Sequence, residues 1–234
     1  MRKIQSAILA MLLCSVLTGC GAKEIMHQPV PAETQSVEDP VVVPGETLPA
    51  APEPDDAVFV AVSDYLPELQ IQLKYATEDN FTGQVVYGFS DAFLRYGTVK
   101  KLAAVQKDLQ ELGLGLKLWD GFRPVSAQFR LWEICPDPRF VANPETSFSS
   151  HSRGNTVDVT LVDALGTELE MPTAFDDFSP KADRDYSDCT EEAAAHAQIL
   201  ELLMEKHGFS GYKREWWHFT DTDVYPVEEQ FLSE

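Results

Sequence analysis

The chain has 234 residues, 44% hydrophobic and 24% charged, which suffices for one domain with a full core and barely for two. Lys plus Arg is 18 and Asp plus Glu is 38, a formal net charge of -20. Acidity on that scale argues against nucleic acid, whose phosphates it repels, and against a flat seat on an anionic membrane surface.

Arg2 and Lys3 precede the apolar run Ile8–Leu17, which is too short to span a bilayer comfortably, and small residues follow. That layout predicts a signal peptide over residues 1–20. Its end, Leu17-Thr18-Gly19-Cys20, resembles a bacterial lipobox. The resemblance implies a lipid anchor on Cys20 and an extracytoplasmic, membrane-tethered chain. Cys14 leaves with the signal, so Cys135 and Cys189 remain. An oxidising compartment can pair them or leave them as free thiols. They lack the short C-x-x-C spacing of a zinc site.

Residues 21–57 read as a linker. They hold Pro29, Pro31, Pro40, Pro44, Pro49, Pro52 and Pro54, an acidic excess and no aromatic residue. Such a segment buries too little apolar area to offset its ordering entropy. Stretched at ~3.1 Å per residue, it reaches roughly 100 Å.

The folded domain is expected over residues 58–234. Val58–Val62 and Gln70–Tyr75 read as strands. Thr98–Leu112 reads as a helix, with Thr98 as its cap, Leu102, Val105 and Leu109 on one face and Gly113 as its stop. Leu114–Trp119 alternates as a strand, and Pro124 suits the first turn of a helix running to about Glu133. Asn155–Leu161 alternates, with Val157, Val159 and Leu161 on one side and Asp158 and Thr160 on the other. Thr190–His207 is the clearest helix: Thr190 caps it, Glu191 and Glu192 face the positive end of its dipole, and Gly208 ends it. Lys213–Phe219 is aromatic and follows a Gly-containing turn, so it reads as a strand. Without a steady β-α alternation, the order predicts an α+β fold, one domain with a mainly antiparallel sheet flanked by helices.

His27 lies in the linker, and His196 and His207 lie in the long helix. His151 and His218 differ, each sitting at a loop–strand boundary. His151 precedes the flexible Gly154, and Asp158 falls inside an apolar strand. An unpaired carboxylate there is costly, and a metal removes the cost. Imidazole and carboxylate suit zinc. Glu215 and His218 are three apart and would face opposite sides of a regular strand. A shared site therefore needs a bend, a bulge, or Glu215 at the strand entrance.

Taken together, S-x-H-x-x-G-x-x-V-D from Ser149 to Asp158, followed by Glu215-Trp216-Trp217-His218, resembles the zinc D,D-peptidases. Among these it resembles the D-alanyl-D-alanine dipeptidases of the vancomycin-resistance type. Leu73-Lys74-Tyr75-Ala76-Thr77, Trp119-Asp120-Gly121-Phe122-Arg123-Pro124 and Phe175-Asp176 extend the likeness over nearly the whole domain. The resemblance implies one Zn2+ held by His151, Asp158 and His218, with Glu215 as general base and acid. Arg123 would steady the oxyanion, and Tyr75, Ser149 and Asp176 would hold the ends of a small dipeptide. The chain departs from the family at Thr156, where a smaller residue is usual.

The expected reaction is hydrolysis of D-alanyl-D-alanine outside the cytoplasm, in wall-peptide turnover or scavenging. The enzymatic rival is a D,D-carboxypeptidase acting on longer peptidoglycan peptides. Related carboxypeptidases tend to carry proline before the last tryptophan of E-x-W-H, and here that residue is Trp216. A third reading is a wall-peptide-binding lipoprotein without turnover, for which Glu215 and Arg123 would have no use.

Overall fold

The computed structural model describes residues 52–229, within the compact unit Ala51–Glu234. Cys20, the expected signal segment and most of the expected linker lie outside the described residues. Among the described residues no helix is long and apolar enough to cross a membrane.

In chain order, β1 is Phe59–Ala61, α1 Val62–Tyr65, β2 Gln70–Ile71, β3 Phe93–Arg95 and α2 Tyr96–Glu111. There follow β4 Leu114–Asp120, α3 Val125–Ile134, β5 Thr156–Asp163, α4 Glu191–Lys206, β6 Phe209–Tyr212 and β7 Glu215–Asp221. A five-stranded sheet runs β2-β4-β5-β7-β6, antiparallel except for the β2–β4 pair, and β1 pairs with β3 apart from it. The α+β expectation with a mainly antiparallel sheet holds.

The core forms where α2 and α4 cover one face of β4, β5 and β7. Val99, Leu102, Val105 and Leu109 recur on the inner stripe of α2 and meet Leu116, Val157, Val159 and Leu161. β5 is buried over seven of its eight residues, as a central strand covered on both faces should be. Val157, Val159 and Leu161 point into the core, which leaves Asp158 on the opposite face.

Three local expectations change. Helix α2 begins at Tyr96, with Arg95 at its cap position and no side-chain cap. Its first amides donate instead to the carbonyls of Val58 and Asp56, at 2.8 and 3.0 Å. Thr98 is fully buried and its hydroxyl donates to Asp221 at 2.8 Å. The second strand stops at Ile71, because Lys74–Ala76 winds into a 3-10 turn that swings Tyr75 inward. Strand β6 reads as a turn by its Ser and Gly, yet it pairs as the sheet edge. By contrast, Thr190 caps α4 by accepting the Ala193 amide at 3.1 Å, and Gly208 ends it at φ +85°. Cys135 and Cys189 are separate thiols.

Candidate metal and active site

Three strands deliver the site. Asp120 on β4 pairs with Asp158 on β5, which pairs in turn with His218 on β7, so the three stand in a row across the sheet. His151 comes from the 3-10 turn Ser150–Arg153 that leads into β5. Ser149 caps that turn by accepting the His151 amide at 3.3 Å. Gly154 closes it at φ +75°, pressed against Phe59, where a Cβ would come within 2.3 Å of the ring.

The ring nitrogens of His151 have separate tasks. Nδ1 lies 2.8 Å from the Gly121 carbonyl, so in the neutral ring it carries the hydrogen. Nε2 is then a lone pair, and it faces His218 Nδ1 at 3.3 Å and Asp158 Oδ2 at 3.4 Å. Asp158 Oδ1 is buried, accepts no hydrogen bond and lies 3.0 Å from His218 Nδ1. With His218 Nδ1 also unprotonated, as a metal ligand must be, electron pairs from three residues converge within 4.8 Å of one another. Acceptors confronting acceptors are unfavourable unless a cation lies among them. Tetrahedral zinc, with bonds of about 2.0–2.1 Å, would set its ligand atoms about 3.3 Å apart. The donors fit that group, and the Gly121 carbonyl fixes the His151 tautomer as outer partners do in metal sites.

Electrostatics follow the same layout. Burial pulls the His151 pKa down, but Asp158 and Asp120 outweigh it and the net shift is upward. Burial would raise Asp158, and the two imidazoles reverse this and hold it below the usual carboxylate range.

Glu215 opens β7 and sits 3.6 Å from His218 Nδ1. The register between β6 and β7 breaks beside Gly211 and Tyr212, and this irregularity brings residues three apart to one side. Burial first, then Asp158, push the Glu215 carboxyl upward, against His218, Arg123 and Arg184.

Arg123 is held rigidly. Asp120 accepts from its Nη2 at 2.6 Å and its Nε at 3.2 Å, and Gln128 accepts from Nη1 at 3.1 Å. Asp120 is itself fixed by the Tyr87 hydroxyl at 2.7 Å and the Gly121 amide at 2.9 Å. Burial opposes the Arg123 charge, but Asp120, Tyr87 and Tyr75 overcome it. These bonds leave one hydrogen on each terminal nitrogen for a ligand.

Tyr75 donates to Asp176 at 2.9 Å. Asp176 adopts left-handed φ of 57°. Burial and the nearby Asp158 raise its carboxyl well above the usual range. Tyr75, Arg123, Ser149, Asp176 and Glu215 line one cleft of about 290 Å³ together with the three metal donors. All eight residues singled out from the sequence around the reaction centre therefore meet. Ser149 has two tasks there, capping the His151 turn and lining the cleft. Thr156, the departure from the family, bonds its hydroxyl to that of Thr220 at 3.0 Å across β5 and β7.

Residues not foreseen are those that support others. Asp120 stood within the quoted motif, and its spacing of three from Arg123 was the available signal. Tyr87, Gln128, Tyr212 and Arg184 reach the site only through the fold.

An imidazole from β7, another from the turn that leads into β5 and a β5 carboxylate, with a half-buried glutamate beside them, make the geometry of a metallohydrolase with a single cation. Residues 55–233 match the family profile described as D-ala-D-ala dipeptidase. The chain is 36% identical over 165 residues to a D-alanyl-D-alanine dipeptidase of Escherichia coli, across 70% of this chain and 85% of that protein. It is 33% identical over 183 residues to one of Enterococcus faecalis, across 69% of this chain and 90% of that protein. A solved vancomycin-resistance D,D-pentapeptidase, VanY, in complex with Zn(II) superposes with TM-score 0.38 at 14% identity, over 59% of this chain and 77% of that one. The chain belongs to the D-ala-D-ala dipeptidase family, and is thereby a metallopeptidase.

Proposed function

We propose that the protein hydrolyses D-alanyl-D-alanine to two D-alanines at a single zinc held by His151, Asp158 and His218. The observation that carries this is the convergence of those donors beside Glu215, 3.6 Å from His218. Zinc held there would supply an acidified water and a polarised carbonyl. Glu215 accepts the proton of the attacking water and delivers it to the departing amine nitrogen. Burial raises its carboxyl, which makes it a stronger base for the first task. Arg123 offers its free N–H groups to the carbonyl oxygen as negative charge develops there. The Asp120 clamp sets those donors in place before reaction, which is where such stabilisation is most effective.

Asp176 selects for a free amino end. Its raised carboxyl, shared with the Tyr75 hydroxyl, would give up its proton as the substrate ammonium docks and pair with that charge. An acylated nitrogen offers no charge and leaves the carboxyl unmatched. This favours a dipeptide over a longer wall peptide. We place the reaction outside the cytoplasm on the strength of the lipobox ending at Cys20. Labelled fatty acid incorporated by the intact chain but not by Cys20→Ala supports that address, and equal labelling of both removes it.

The deciding assay follows D-alanine release from D-Ala-D-Ala by the full-length protein with chelator, then with zinc restored. Chelator-sensitive release, rescued by zinc, is the expected result. No release from the dipeptide by zinc-loaded protein overturns the reading.

A further inference from the structure

Behind the metal donors the sheet edge is broken. Tyr212 pairs with Glu215 and Gly211 with Phe219, so β6 moves one residue while β7 moves four. Trp216, Trp217 and His218 thus have no β6 residue opposite them. One side chain from the loop before α4 fills the gap. Arg184 Nη2 donates to the carbonyls of Trp216 and His218, both at 3.0 Å, and Nε donates to that of Tyr212 at 2.9 Å. Nη1 is ion-paired with Glu201 on α4 at 3.2 Å, and the guanidinium lies 4.3 Å over the Phe219 ring. Its side chain is only 9% exposed. Gly211 makes the room: a Cβ there would stand 2.4 Å from Arg184 Cζ.

We infer that Arg184 is a positioning residue for this reaction, its guanidinium replacing the missing β6 backbone and setting the spacing of Glu215 and His218. The inference rests on the roles proposed above for those two residues. A bulge frees one edge of a strand, and freed carbonyls drift unless donors hold them. A planar fork holds carbonyls on both sides of the gap at once, which the single point charge of lysine does not reproduce. Arg184 does not line the cleft, so it acts through β7 and not on substrate.

The test uses the full-length protein with D-Ala-D-Ala and compares Arg184→Ala, Arg184→Lys and Gly211→Ala. The last keeps the charge and displaces the guanidinium. Metal content, thermal midpoint and the absorption bands of the cobalt-substituted protein are read beside kcat and KM. The expected signature is a kcat lowered about tenfold or more, because catalytic misplacement of about 1 Å costs on the order of 100-fold. KM should stay within about threefold, one metal should remain bound, and the cobalt bands should shift. Added guanidine should recover part of the kcat of Arg184→Ala. Folded, metal-loaded variants with wild-type kcat and unshifted bands overturn the inference, as does a loss that only follows metal loss or unfolding. If Arg184→Ala does not fold, Gly211→Ala and Arg184→Lys decide. Glu215→Ala runs alongside: retained hydrolysis there defeats the site assignment itself, whereas its loss with indifferent Arg184 variants defeats this inference alone.

Discussion

Asp158 and His218 stand opposite each other on β5 and β7, with Oδ1 3.0 Å from Nδ1. The pairing register makes the two residues neighbours, so the candidate metal site inherits the rigidity of the central sheet. Asn at position 158 keeps the shape but gives up the charge. Asp158→Asn is expected to bind zinc at least about 100-fold more weakly, beyond the 10–100-fold usual for losing an outer partner. Metal titration with a competing chelator reads this directly, and unchanged affinity would remove Asp158 from the ligand set.

Metal binding should also weaken on acidification. The His151 pKa is raised in the metal-free protein, with Asp158 and Asp120 outweighing burial. A raised pKa means the proton stabilises the fold: the contribution is complete below the unfolded value of about 6.5 and disappears as pH climbs through the folded value. Zinc must displace that proton, so its affinity falls as pH drops through the raised range, earlier than for a free imidazole. Calorimetry in buffers of differing ionisation enthalpy should show proton release on binding. Proton-independent binding contradicts the assignment of Nε2 as a ligand atom.

The Asp120–Arg123 pair has side chains 0% and 12% exposed, so breaking it leaves a buried charge unmatched. Asp120→Asn is expected to cost roughly 3 kcal/mol or more of stability, and to lower kcat through a loosened Arg123. Tyr87→Phe removes one neutral donor from the same carboxylate and should cost less, about 2 kcal/mol. Urea unfolding of the two variants checks the ordering. Equal costs would show that Asp120 does not hold the arginine charge.

Asp176 offers a clean test of specificity. Asn tolerates left-handed backbone as well as Asp does, so Asp176→Asn should leave the loop in place at φ near 57°. Its kcat/KM for D-Ala-D-Ala is expected to fall at least about tenfold, since charge-assisted bonds are roughly twice as strong as neutral ones. Its kcat/KM for the N-acetylated dipeptide should change little. Parallel losses on both substrates would move Asp176 from recognition to structure.

By itself the sequence singled out the candidate donors, pointed to the family by resemblance and marked most of the regular elements. Alternation at Val157, Val159 and Leu161 already put Asp158 on the face away from the core, and residue chemistry singled out His151 and His218. These are local properties, readable from side-chain type and period. Tertiary structure decided how Glu215 and His218, three apart on a strand, come to share one side. The answer lies in a register break against β6 and in Arg184, about thirty residues upstream of the pair, bridging the gap. It likewise turned Thr98 from a helix cap into a partner of Asp221, and made Asp120 the clamp of Arg123. Each of these depends on which backbone groups another segment leaves unsatisfied, and composition and spacing do not carry that information.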